Sequence, residues 1–104
     1  DIANGCARLV DSHVSVSLKD VDFLDQYAGK GYGVLQKEIV DAITTVAGTE
    51  GIFLDPVYTG KAMWGIIDLI HQGYFERDET VVFIHTGGTP ALFAYGNELA
   101  NLQG

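Results

Sequence analysis

The sequence predicts an α/β fold in which helices cover both faces of a mainly parallel sheet, a three-layer αβα arrangement. Three observations carry this. Ile52-Phe53-Leu54 is a short apolar run closed by Asp55-Pro56, and Thr80 to Ile84 is a second, β-branched run closed by Thr86-Gly87-Gly88. Between them Ala62, Met63, Ile66, Ile67 and Ile70 recur at the spacing of one helical face, with Thr59 or Gly60 where an N-cap belongs. Strand, helix and strand in this order form a crossover unit, so the strands run parallel and their exit loops share one edge of the sheet. The clusters Asp55 to Lys61 and His85 to Thr89 are therefore expected side by side, where open α/β sheets bind ligands.

The remaining elements follow from the start of the chain. Ile2, Cys6, Leu9 and Val10 lie on one helical stripe that Asp11-Ser12 ends, and the stripe reads as the last turns of a helix begun earlier. Val14, Val16 and Leu18 alternate with Ser15 and Ser17, the pattern of a half-buried strand near an edge, with His13 beside it as a surface residue. Asp20 to Tyr27 is a polar loop carrying Phe23 and Leu24. Gly29-Lys30-Gly31-Tyr32-Gly33 is either a flexible connection or a backbone that passes close to a flat ligand with Tyr32 aimed at it. Leu35, Ile39, Ile43 and Val46 predict a helix over 35–47 stopped by Gly48, followed by strand 52–54, helix 61–72 and strand 80–85. Pro90 to Tyr95 can start a short helix, and Asn97 to Gly104 is a surface tail or its continuation, where the chain is expected to end naturally.

Composition narrows the function classes. The 104 residues fit one domain, a single α/β unit over 1–104, and carry 14 acidic against 6 basic side chains for a net charge of −8, with no basic cluster. A nucleic-acid or anionic-membrane surface is disfavoured. No apolar run is long enough for a membrane span, and the single Cys6 makes no internal disulfide, so the expectation is a cytosolic protein. No Cys/His/carboxylate group has zinc spacing, so no metal is expected, and no GxSxG elbow or GxGxxG fingerprint occurs. Gly60-Lys61 lacks the upstream glycine and the following Ser/Thr of a phosphate loop.

Several residues keep two readings on physical grounds alone. His85-Thr86-Gly87-Gly88-Thr89 after a buried strand either aims backbone N–H groups at an anion or simply makes a tight turn. Tyr58 at the mouth of the first strand can transfer a proton, stack on a ring or merely pack. Asp55 can pair with Lys61 across the loop or hold its own turn. Trp64, Phe75, Phe83 and Phe93 are expected in the core or an interface.

Three motifs, GKGYGV, DPVYTGKAM and HTGGTPALFAY, in this order over about residues 27 to 98, resemble pyridoxal-phosphate enzymes of the D-cysteine desulfhydrase and 1-aminocyclopropane-1-carboxylate deaminase family. The resemblance implies that the chain is the C-terminal part of a two-domain, tryptophan-synthase-β-like fold with the cofactor between the domains. It also implies a small amino-acid substrate and a homodimer. The Schiff-base lysine and the phosphate loop of such enzymes have no counterpart here, and Lys61 belongs to the DPVYTGK motif instead.

By the same resemblance Tyr32 and Tyr58 face substrate and cofactor as catalytic residues, and Thr86 with Gly87 lies beside the pyridine ring. Thr59 stands where the cyclopropane deaminases carry Glu. A neutral residue pairs with an unprotonated ring, which suffices for β-elimination of thiolate or sulfite. The resemblance thus points to a desulfhydrase or cysteate sulfo-lyase, with the ring-opening deaminase second. A non-catalytic module that self-associates through its sheet edge is the rival of another class.

Overall fold

The computed structural model describes residues 1–103. Its helices are α1 (Ile2–Leu9), α2 (Lys37–Glu50), α3 (Thr59–His71), α4 (Ala91–Ala94) and α5 (Gly96–Gln103), with short 3₁₀ turns at Leu18–Asp20 and Asp25–Ala28. The centre is the packing of α2 on α3, with α5 also against α2.

α2 is rich in β-branched residues and has no side-chain cap at Gln36, so tertiary burial rather than helix propensity holds it. Ile39, Ile43 and Val46 of its buried stripe meet Leu54, and Leu35, Met63, Trp64, Phe83, Leu92 and Leu99 close around them. The exposed Lys37–Asp41 ion pair at 2.7 Å contributes only a few tenths of a kcal/mol. α2 passes through Gly48 and stops three residues later than the sequence predicts. A Cβ on Gly48 would meet nothing within 4 Å and the residue stays helical, while Gly51 takes φ 67° and returns its N–H to Ala47 O. Gly51→Ala places a Cβ in the left-handed region and is expected to cost about 1 kcal/mol in urea unfolding, with Gly48→Ala neutral or stabilising.

α3 buries Thr59, Gly60, Gly65 and Leu69, whereas Ile70 and Ala62 of the expected face are exposed. The helix is apolar almost all round, so its periodicity carries little phase. Tyr27 fills the groove beside Gly65, its ring edge-on to Trp64 at 5.2 Å and its hydroxyl donating to Asp68 at 2.6 Å. That bond, with burial, pushes the Tyr27 phenol above its ordinary range.

No strand forms among the described residues, which corrects the sequence reading of 14–18, 52–54 and 80–85. A strand exists only through its ladder to a neighbour, and these segments have no ladder. Asn4 instead pins the first by accepting from Val16 N at 2.7 Å and donating to Val16 O at 2.8 Å. The second buries Leu54 but leaves Phe53 outward, and the third leaves Val82 and Ile84 outward. Phe93, expected in the core or an interface, is not in the core and is 90% exposed, and the α1 stripe of Ile2 and Leu9 is equally bare. The radius of gyration, 16.2 Å, exceeds the roughly 13 Å of a closed domain of this length, in keeping with the uncovered apolar faces.

Candidate functional site

The two loops after the extended segments do meet, as the crossover reasoning requires. His85 Nε2 lies 3.0 Å from Phe53 O, Thr89 Oγ1 donates to the same carbonyl at 3.2 Å, and Gly88 packs against the Asp55 carboxyl. Gly87 N donates to His85 Nδ1 at 3.1 Å, which makes Nδ1 the acceptor and Nε2 the protonated nitrogen.

Asp55 organises the first loop. Its carboxylate is fully buried; Oδ2 accepts Val57 N and Tyr58 N, and Oδ1 accepts Thr59 N and Thr59 Oγ1, all within 2.8 Å. Burial pushes the carboxyl up, but these bonds from Thr59, Tyr58 and Val57 outweigh it and hold the group below its ordinary 3.8. Asp55 thus caps the turn 56–58 that leads into α3, with Pro56 opening that turn. Neither Thr59 nor Gly60 caps the helix, and Asp55 does not pair with Lys61.

Lys61 reaches the other way. Its Nζ donates to Ala28 O at 2.6 Å and Gly31 O at 2.8 Å. Gln36 Oε1 accepts Lys30 N at 2.6 Å, and Tyr95 Oη donates to Gly33 O at 3.0 Å. The glycine-rich stretch 29–33 is therefore a pinned loop, not a flexible connection. Lys61→Met, which keeps the stem and removes the donor, is expected to lower stability by about 1 kcal/mol and to speed amide exchange at Val34, whose N–H bonds Gly31 O.

The pinned loop presents Tyr32 to Tyr58. Their hydroxyls are 2.6 Å apart, with either able to donate, and their rings meet edge-on at 5.9 Å. The bond to Tyr32, then burial and the charges of Tyr32 and Asp55, push the Tyr58 phenol above its ordinary range, so it keeps its proton through neutral pH. A cavity of about 470 Å³ opens beside this pair, with Tyr58, Thr59, Lys61, Phe23, Ile84 and Thr86 in its wall. Among the described residues the Thr86 hydroxyl makes no hydrogen bond, whereas that of Thr59 is engaged with Asp55. Gly87, at φ 97°, has nothing within 4 Å of where a Cβ would stand, leaving room for a flat ring.

The model of the family described as "Pyridoxal-phosphate dependent enzyme" matches residues 3–87. The chain belongs to the pyridoxal-phosphate dependent enzyme family. Pyridoxal phosphate is the cofactor of that family. The D-cysteine desulfhydrases of Salmonella newport (strain SL254) and Salmonella enteritidis PT4 (strain P125109) are 53% identical to it over 76 residues, 73% of this chain and 23% of theirs. A crystal structure of an ACC deaminase homologue superposes with a TM-score of 0.72 at 39% identity, over 95% of this chain and 29% of that one. The chain thus has the fold of one part of a pyridoxal-phosphate enzyme and spans about a quarter of the length of these relatives.

Of the residues singled out from sequence, the structure brings Tyr58, Thr59 and Thr86 into one wall, Tyr32 onto Tyr58, and Gly87 next to Thr86. Of the two readings the sequence left for Asp55, the structure shows the second: it holds its own turn. Gln36 and Tyr95, which hold the glycine loop, were missed as partners, and nothing local points to either.

Proposed function

We propose that this chain forms one wall of the active site of a pyridoxal-phosphate-dependent lyase. The reaction is β-elimination from a small sulfur amino acid, releasing sulfide from D-cysteine or sulfite from L-cysteate, after which water hydrolyses the enamine product to pyruvate and ammonia. The observation that carries this is the cavity wall itself: two phenol oxygens 2.6 Å apart beside it, Thr86 in the wall with no hydrogen-bond partner among the described residues, and a neutral Thr59. The similarity to D-cysteine desulfhydrases supports the same choice.

Thr86 and Gly87 would hold the pyridine ring, the hydroxyl approaching its nitrogen and the bare backbone leaving space for its face. When bound, the cofactor supplies the electron sink for loss of the Cα proton. Thr59 is neutral and offers that ring no charge, and with its one hydroxyl proton held by Asp55 it offers no donor either. Tyr58, which keeps its proton, positions the substrate and passes a proton to the group leaving Cβ, on sulfur for sulfide or on oxygen for sulfite, and Tyr32 resupplies it through the shared hydrogen bond. Lys61 Nζ is bound to two carbonyls, and we assign the Schiff base to a lysine outside this chain. The 104 residues alone are expected to be inactive.

The neighbouring ACC deaminase homologue makes the ring-opening deaminase the second reading. A chimera separates the two: the matching 76-residue stretch of the Salmonella desulfhydrase is replaced by that of this chain, and the product is tested on D-cysteine, L-cysteate and 1-aminocyclopropane-1-carboxylate. Pyruvate from either sulfur substrate, with the cyclopropane untouched, is the expected result. Turnover of the cyclopropane alone would establish the deaminase.

A further inference from the structure

We infer that Asp55 is a positioning residue that locks the tyrosine loop and the glycine loop into one rigid edge. Its carboxylate has a different neighbour on each side. On one, Val57 N, Tyr58 N, Thr59 N and Thr59 Oγ1 fix both oxygens. On the other, Gly88 lies so close that a Cβ there would fall 2.7 Å from Asp55 Cγ and 2.9 Å from Oδ1. Gly88 also has φ 90°, a backbone that glycine adopts freely and other residues rarely do.

The contact has consequences in both directions. The carboxylate cannot rotate without releasing the amides that set Tyr58, and on the Gly88 side there is no space for even one added carbon between it and the loop that follows Thr86 and Gly87. His85 and Thr89 reinforce the unit from the same side, both bonded to Phe53 O two residues before Asp55. A group that fixes the relative placement of the phenol pair and the Thr86 hydroxyl sets the geometry of the whole wall. What this edge positions rests on the reading proposed above; the coupling of the loops does not.

Coupling is reciprocal, so it can be probed from either end. In the 104-residue chain, Gly88→Ala pushes on the carboxylate without removing any charge or donor, and Asp55→Asn removes the charge while keeping the size. Amide exchange and alkaline tyrosine titration are followed, with Ile43 in α2 as the control for global unfolding. Gly88→Ala is expected to speed exchange at Tyr58 and Thr59 by about tenfold or more and to lower the Tyr58 titration toward that of an ordinary tyrosine. Asp55→Asn is expected to speed exchange at Ala91, whose N–H bonds Gly88 O.

If Asp55→Asn unfolds the chain, Gly88→Ala decides alone. Effects of Gly88→Ala confined to its own loop, with Tyr58 exchange and titration unchanged, would make Asp55 a simple helix cap and overturn the inference. Neither readout uses cofactor. A chimera that fails to bind pyridoxal phosphate would therefore remove the proposed function and leave the coupling standing. Uncoupled loops in an active chimera would do the reverse.

Discussion

Asp55→Ala is expected to destabilise the chain by about 4 kcal/mol, read as a fall in the urea midpoint at constant slope. The size follows from which donors lose their partner. Thr59 is 2% exposed, so its N–H and its hydroxyl are both left unsatisfied out of reach of water, at about 2 kcal/mol each. Val57 and Tyr58 are open enough for water to replace the carboxylate, and they add little. A loss under about 1 kcal/mol would mean that packing of α3 on α2, and not this cap, holds the helix start. Acid supplies a second check. A carboxyl held below its ordinary 3.8 contributes stability that is complete above that value and disappears as pH falls through the folded pKa. The native chain should therefore lose stability more steeply below pH 3.8 than Asp55→Asn does.

The same residue shows how far the sequence could be read. Helix α2 was legible because it buries an apolar stripe long enough to set a period; it starts at 37 where 35 was expected and runs on to 50, because positive φ at Gly51, and not the glycine at 48, stops it. The phase of α3 was not legible, since apolar residues surround it. Alternation and β-branching over 14–18, 52–54 and 80–85 mark residues suited to a sheet, but pairing is a property of neighbours. In this chain the segments present Phe53, Val82 and Ile84 to solvent.

The site was legible where motif and geometry coincide. Crossover reasoning alone brought 55–61 and 85–89 together, and the resemblance singled out Tyr32 and Tyr58, whose hydroxyls meet across 26 residues of sequence. What the sequence hid were long-range supports with no local signature. Tyr95 reaches back to Gly33 across 62 residues, and Lys61 turns from the nearby Asp55 to carbonyls about 30 residues upstream. A lysine near a buried aspartate invites a salt bridge. Asp55 is already saturated by four donors, so the ammonium goes where acceptors are free.

Tyr58→Phe in the active chimera is expected to lower kcat by about 100-fold or more, with KM and the cofactor spectrum little changed. The substitution keeps the ring that meets Tyr32 edge-on and deletes only the hydroxyl, so the loss measures proton delivery rather than packing. Tyr32→Phe should cost less, because it removes the relay partner and leaves the donor in place. The pH profile distinguishes donor from base. A phenol raised above its ordinary 10.0 is protonated throughout the neutral range, so activity that needs the proton persists to alkaline pH and falls only as the raised pKa is passed. Tyr32→Phe removes the largest cause of that elevation, and the alkaline limb should move down toward an ordinary tyrosine. A limb that rises with pH instead would show that the phenolate is the working form, and the direction of proton transfer at this wall would be the opposite of the one proposed.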